Sequence, residues 1–416
     1  MCSWLRRNNN NGNLAKAEMN DYYVNIVNAA NTRYKSVTRG GFRVQLLINA
    51  IIIADTPSLS PWTQNLNVSG VIQAGRALDD FSLYVEKSGG QLGGVPFDHV
   101  ALITGFNLAS GPSRGTAGIA YLRAVCRTYT VSVTEELYEE LTALVLAHEI
   151  GHSLGSEHDG TRNTCKGSDQ FVMAARLRIP PSSKATNPWH FSSCSVTQFR
   201  SFLQTSRTAC TLSRQGHAID VSPFLQQEFG QKYPPDIQCE IYLGSGSKLC
   251  RALYFAPNVL RYDSICRLLY CYRPATRDCV PVSAHDGTSC GDRLWCQSGV
   301  CVFSAKAPSR PLNCPAGDDP DVRCTLDLCT IAFLNDQLCC ATCKGPRPTN
   351  KPRPTMSGGM KLAPTQSVGI FPVKPTQSVG IFPVKPTQSV MVQNTRQRPG
   401  IAPTQSVSFQ GQRPGP

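Results

Sequence analysis

The chain has 416 residues, 19 cysteines, 30 prolines and a formal charge of +13. That length allows two to four modules, and no apolar run approaches the ~18 residues a transmembrane helix needs. From Lys344 to the end there are ten Lys or Arg and no Asp or Glu, which leaves about +3 for the rest, so the charge belongs to a tail and gives no support to a nucleic-acid-binding fold.

Residues 1–20, opening MCSWLRRNNNNGN, form an unassigned leader with no apolar core and therefore no recognisable secretory signal. Residues 21–215 read as mixed α/β. Asp21 to Val37 is predicted helical, with Tyr22, Ile26, Ala29 and Ala30 near one face. Phe42 to Asp55, rich in Ile, Val and Leu, is predicted as a buried strand. Ser69 to Lys87 reads as a second helix, and His99–Gly105 and Ile119–Val125 as short strands. A long helix is expected from Thr134 to Leu154. Its apolar stripe is Leu137, Leu141, Leu144 and Val145, and Thr134, Glu135 and Glu136 supply a cap and negative charge.

Fourteen of the cysteines lie between Cys239 and Cys343, eight in residues 220–302 and six in residues 313–344. Such density in small segments indicates a disulfide framework made in an oxidising compartment. With the leader lacking a signal, the expectation is a secreted, extracellular protein seen here in an N-terminally incomplete chain. Residues 345–416 are Pro-rich and carry PTQSV at Pro364, Pro375, Pro386 and Pro403. Words this short cannot stack into a core, so an extended, disordered tail is expected. Its basic charge suits anionic glycans or matrix. Asn67-Val68-Ser69 is a glycosylation sequon, meaningful in a secreted protein.

The chemistry is concentrated in HEIGHSLGSEHD, His148 to Asp159. His148 and His152, four apart on a helix, leave one face a turn apart and suit two ligands of one tetrahedral zinc. Gly155 can take the left-handed conformation that ends the helix, and the returning chain brings His158 as third ligand. Three protein ligands leave one position open, the mark of a catalytic zinc. Glu149, beside the first ligand, is placed as general base on the attacking water.

With those residues the chain resembles the metzincins, and within them the reprolysins, over Asp21 to Cys210. Asp159 after the third His, Met173 in FVMAA, FDHVALITG, GIAYLRAVC and NPWHFSSCSVTQFRSFL carry the likeness. The resemblance implies a metzincin domain with a mixed sheet and a long active-site helix, and a Met-turn at Met173. It implies disulfides Cys126–Cys210 and Cys165–Cys194, and a substrate-binding edge strand at Gly118 to Leu122. It also suggests a calcium ion at Asp98 and the Cys210 carbonyl. Residues 220–302 resemble the disintegrin-like, Cys-rich module of the ADAMTS proteases through YPPDIQC and DGTSCGDRLWCQSGVC, and residues 313–344 resemble a PLAC module through CCATC. The short layout is similar to secreted reprolysins of blood-feeding arthropods such as ticks. The implied function is a zinc metalloendopeptidase acting on extracellular proteins. The alternative is a non-catalytic binding protein that acts through its Cys-rich modules.

Overall fold

The computed structural model describes residues 10–38, 42–89, 91–137, 140–178, 180–212, 218–255, 260–309, 314, 316–319, 322–330, 338–344 and 407–409. Helix α1 spans Gly12–Tyr34, so it begins well before the expected Asp21. The Asn11 side chain caps it by accepting the Leu14 N–H at 3.1 Å, and Ala15 and Met19 are buried along it. The end of the leader is therefore part of the fold.

A seven-stranded mixed sheet follows. Its members are β1 (Val71–Gln73), β2 (Val100–Thr104), β3 (Asn107–Ser110), β4 (Ser113–Ala120), β5 (Val131–Glu135), β6 (Arg176–Leu177) and β12 (Val407–Phe409). Strands β1 and β3 are parallel, β3 and β4 antiparallel, β4 and β5 antiparallel, and β5 and β2 parallel. Helix α2 (Ala74–Lys87) packs on β4 and β5 through Ala77, Leu78, Phe81 and Val85. Helix α3 (Glu140–Ser153) packs on the same two strands and on α1. Its residues from Thr142 to Ser153 are all buried, so it forms the spine of the domain.

Several expectations are corrected. Residues 43–55 form no ladder among the described residues, and Leu47 and Ile52 are 55% and 61% exposed. An apolar run becomes a strand only beside a partner backbone, and this segment is tied instead by isolated bonds such as Ile219 N–H to the Ile48 carbonyl. The second helix starts at Ala74 because Ser69 and Gly70 are in left-handed conformations that turn the chain into β1. The strand expected over Ile119–Val125 is Ser113–Ala120. Beyond it the chain turns, with Arg123 at positive φ. The Arg123 and Val125 N–H groups then bond the His152 and Ser153 carbonyls at the end of α3. Thr134 and Glu135 belong to β5, not to a helix cap. Their β-branched neighbours Val131 and Val133 are fully buried, and Glu135 accepts the Leu108 N–H at 2.8 Å.

Helix α4 (Ser193–Leu203) closes the domain, with Ser192 as its N-cap. The second module holds α5 (Pro235–Leu243), the hairpin β7–β8 (Leu269–Arg273, Asp278–Val282) and the meander β9–β10–β11 (Ser289–Gly291, Leu294–Gln297, Val300–Phe303). Its core is built around Cys239–Cys271, Cys250–Cys279, Cys266–Cys296 and Cys290–Cys301. The third segment is crosslinked by Cys314–Cys340, Cys324–Cys339 and Cys329–Cys343. The protease domain contains Cys126–Cys210 and Cys165–Cys194, as the resemblance implied. These nine bridges use every cysteine but Cys2, which lies outside the described residues. Most of the tail also lies outside them, but Val407–Phe409 is a strand of the main sheet, not disordered chain.

Candidate metal and active site

Helix α3 ends in a Schellman turn. The Gly155 N–H bonds the His152 carbonyl and the Ser156 N–H bonds the Gly151 carbonyl, with Gly155 at φ +103. A side chain at Gly155 would also strike Phe202, whose ring and Cβ lie 2.8 Å from the Cβ position. The turn has two products. It presents the Ser156 carbonyl to His152 Nδ1 at 2.7 Å, and it returns the chain so that His158 faces the helix.

The three Nε2 atoms meet in a triangle with sides of 3.0, 3.1 and 3.1 Å. In His148 and His152 the Nδ1 atoms face carbonyl oxygens of Val172 and Ser156, both at 2.7 Å. Those Nδ1 atoms must therefore carry the protons, and the Nε2 lone pairs converge. Convergent lone pairs repel unless a cation sits among them. The separations are close to the ~3.3 Å edge of a tetrahedron with ~2.05 Å zinc–nitrogen bonds. Burial lowers all three imidazole pKa values, to about 3 for His152 and about 4 for His158, so they are neutral ligands at ordinary pH. Donor type, tautomer and spacing all fit zinc.

Glu149 is fully buried, and neither carboxylate oxygen has a hydrogen-bond partner among the described residues. Burial raises its pKa well above the ordinary carboxylate value. An unpartnered buried carboxylate is costly, and it is what a proton-accepting group beside a metal requires. Gly118 of β4 lies against it: a Cβ there would be 2.6 Å from Glu149 Oε1.

Met173 is fully buried under the site. Its sulfur lies 2.7 Å from where Gly151 would carry a Cβ, so the glycine between His148 and His152 makes room for Met173. Asp159 ties the third-ligand loop down in two ways. Its N–H bonds the Met173 carbonyl at 2.9 Å, and its Oδ1 accepts the Ser192 hydroxyl at 2.6 Å. Asp98 and Cys210 meet at one corner, since the Asp98 carbonyl accepts the Cys126 N–H and Cys126 is bonded to Cys210. Asn67 is exposed in a turn where its Oδ1 accepts the Gly70 N–H at 2.8 Å.

A reprolysin (M12B) family zinc metalloprotease model matches residues 9–214, and an ADAMTS cysteine-rich domain 2 model matches residues 229–302. The chain belongs to the reprolysin/ADAMTS-like metalloproteases. It is 26% identical over 301 residues to mouse "A disintegrin and metalloproteinase with thrombospondin motifs 18", covering 72% of this chain and 23% of that protein. It is 28% identical over 371 residues to the human protein with motifs 10, covering 82% of this chain and 30% of the relative. The chain thus spans under a third of the length of these relatives. Reprolysins use zinc, and the histidine triad fits that metal. Among the described residues no helix is long and apolar enough to cross a membrane.

Some supporting residues carried little sequence signal. Arg33 is buried and donates to Glu140 at 2.6 Å and to the Pro188 carbonyl at 3.1 Å, joining α1, the start of α3 and the loop before α4. The Tyr34 hydroxyl donates to the Ala147 carbonyl at 2.8 Å, one residue before the first ligand. Gly151 did carry a signal, since a mid-helix glycine costs about 1 kcal/mol relative to alanine and needs a packing reason.

Proposed function

We propose that the chain is a secreted zinc endopeptidase that hydrolyses internal peptide bonds of extracellular proteins. The observation that carries this is the convergence of three neutral imidazoles at 3.0–3.1 Å beside a buried carboxylate with no partner. His148, His152 and His158 would hold the ion, and zinc would supply Lewis-acid polarisation of the scissile carbonyl and the attacking water. Glu149, the residue next to the first ligand, takes the proton from that water and passes it to the leaving amine. The substrate backbone lies as an added strand along β4, whose Gly118 lets the peptide plane approach the base. Nine disulfides, together with the exposed Asn67 sequon, support folding in an oxidising, extracellular setting. We assign the Asp98–Cys210 corner to an accessory calcium ion on family likeness, and the basic tail to anionic glycans or matrix.

The test is zinc content together with cleavage of a quenched peptide library, with and without chelator, on protein made in an oxidising host. One zinc per chain and chelator-sensitive internal cleavage are expected, and Glu149→Ala should keep zinc and lose cleavage. Folded, zinc-loaded protein with no cleavage would move the function to the Cys-rich modules.

A further inference from the structure

Strand β12, Val407–Phe409, comes from the fourth PTQSV copy and sits on the open edge of β4. It pairs antiparallel with β4, Val407 opposite Gly118 and Ser408 opposite Thr116. On its other side it pairs parallel with β6, Ser408 opposite Arg176 and Phe409 opposite Leu177. Without β12, β4 and β6 would present unpaired backbone groups toward each other, which is a template for an added strand. Gly118 is also the residue against Glu149, so the tail lies beside the general base. Val407 is fully buried and belongs to the same apolar cluster as Val145, Val172, Met173 and Leu177.

We propose that the PTQSV word is a tethered ligand of the substrate cleft, competing with substrate by adding its own strand between β4 and β6 with its valine in the buried subsite. This rests on the proposed peptide hydrolysis only in calling the cleft a substrate cleft. The chemistry required of the occupant is a free strand edge on both sides and one β-branched aliphatic side chain. Val368, Val379 and Val390 occupy the same position in the other three copies, so the tail offers the word four times. Repetition raises the local concentration of a weak ligand. An intramolecular ligand reaches effective concentrations near ~1 mM, enough to fill the cleft with a peptide of ~0.1 mM affinity.

The test uses the full chain with Val368, Val379, Val390 and Val407 all changed to Asp, so that no copy can replace another. The variant should cleave a quenched peptide with KM about tenfold lower and kcat unchanged. Val→Ile at all four positions should behave as the parent. A synthetic PTQSVSFQG peptide should inhibit the Asp variant competitively, and its Val→Asp form should not. Binding separates this from the protease assignment. In zinc-loaded Glu149→Ala chains, labelled PTQSVSFQG should bind about tenfold tighter when the tail valines are Asp. That result without cleavage by any form would refute the proposed hydrolysis and uphold the tethered ligand. Cleavage with unchanged KM, or equal peptide binding to both tails, would overturn the tethered ligand and leave hydrolysis standing.

Discussion

Gly118→Ala isolates the role of close approach between β4 and α3. A Cβ at this position would stand 2.6 Å from Glu149 Oε1 and 2.8 Å from both Glu149 Cγ and Val145 Cγ1. Ordinary carbon contacts lie at ~3.5–4 Å, so about 1 Å must be found. Val145 and Glu149 are one helical turn apart on the same face, and α3 is fixed at its end by the Schellman turn. The strand is held by pairing of Gly118 with Thr134. Separating strand and helix is overpacking, worth roughly 1–3 kcal/mol, or a few degrees of Tm for a domain of this size. The softer response is rotation of Glu149, and a ~1 Å misplacement of a catalytic group costs on the order of a hundredfold in rate. The assay is steady-state cleavage of a quenched peptide, with zinc stoichiometry and a melt on the same samples. The expected variant is folded, keeps one zinc, and loses kcat about a hundredfold. A kcat within twofold of the parent would refute the argument that Gly118 exists to admit Glu149.

Three further outcomes follow from the supports of the site. Replacing Cys126 and Cys210 together by Ala opens a loop of 84 residues, for which chain entropy predicts a loss of about 4–5 kcal/mol, measured by denaturant unfolding. Arg33→Met leaves Glu140 buried without its 2.6 Å partner and should cost about 3–5 kcal/mol; Arg33→Met combined with Glu140→Leu should recover much of that. His285 titrates at about 4 in the folded state because burial lowers it from 6.5. The unfolded chain therefore takes up this proton first, and up to ~3 kcal/mol present above pH 6.5 is lost as pH falls toward 4. Glu140 raises it and Arg33 lowers it electrostatically, and melts from pH 7 to pH 4 should lose part of their slope in His285→Gln.

The histidine cluster was legible because its determinants are local. His148, His152, Gly155 and His158 lie within eleven residues, and helical period plus one left-handed turn places them. The disulfide partition was legible because cysteine density marks modules. What failed depended on partners distant in sequence. Residues 43–55 have strand composition but no ladder, since composition says nothing about a neighbouring backbone. Thr134 has the type of an N-cap but serves β5, because pairing with Gly118 outweighs capping propensity. Val407–Phe409 could not be foreseen as ordered, because a Pro-rich repeat becomes a strand only where β4 and β6 leave a slot. Nothing in the local sequence marks Arg33 as buried, because its burial follows from a carboxylate 107 positions away.

The second module is better understood as a brace of the first than as an appended binding unit. Phe229 is buried within the protease core cluster, 6.1 Å from the Tyr22 ring and 4.6 Å from the His285 ring. Lys232 pairs with Asp21 at 2.7 Å, and His285 Nδ1 stands 3.9 Å from Glu140. Trp189, beside the loop that Arg33 grips, fills the space a side chain at Gly299 would need. These contacts press on α1, and α1 in turn holds α3 through Arg33–Glu140 and through Tyr34 to the Ala147 carbonyl. A continuous path of packed and hydrogen-bonded groups thus runs from the Cys-rich module to the residue before His148. Cutting the chain between the modules would expose Phe229 and leave Glu140 with one fewer neighbour. An adhesive role for residues 220–344 is therefore best tested in the intact Glu149→Ala chain, where catalysis is removed and the shared core is not.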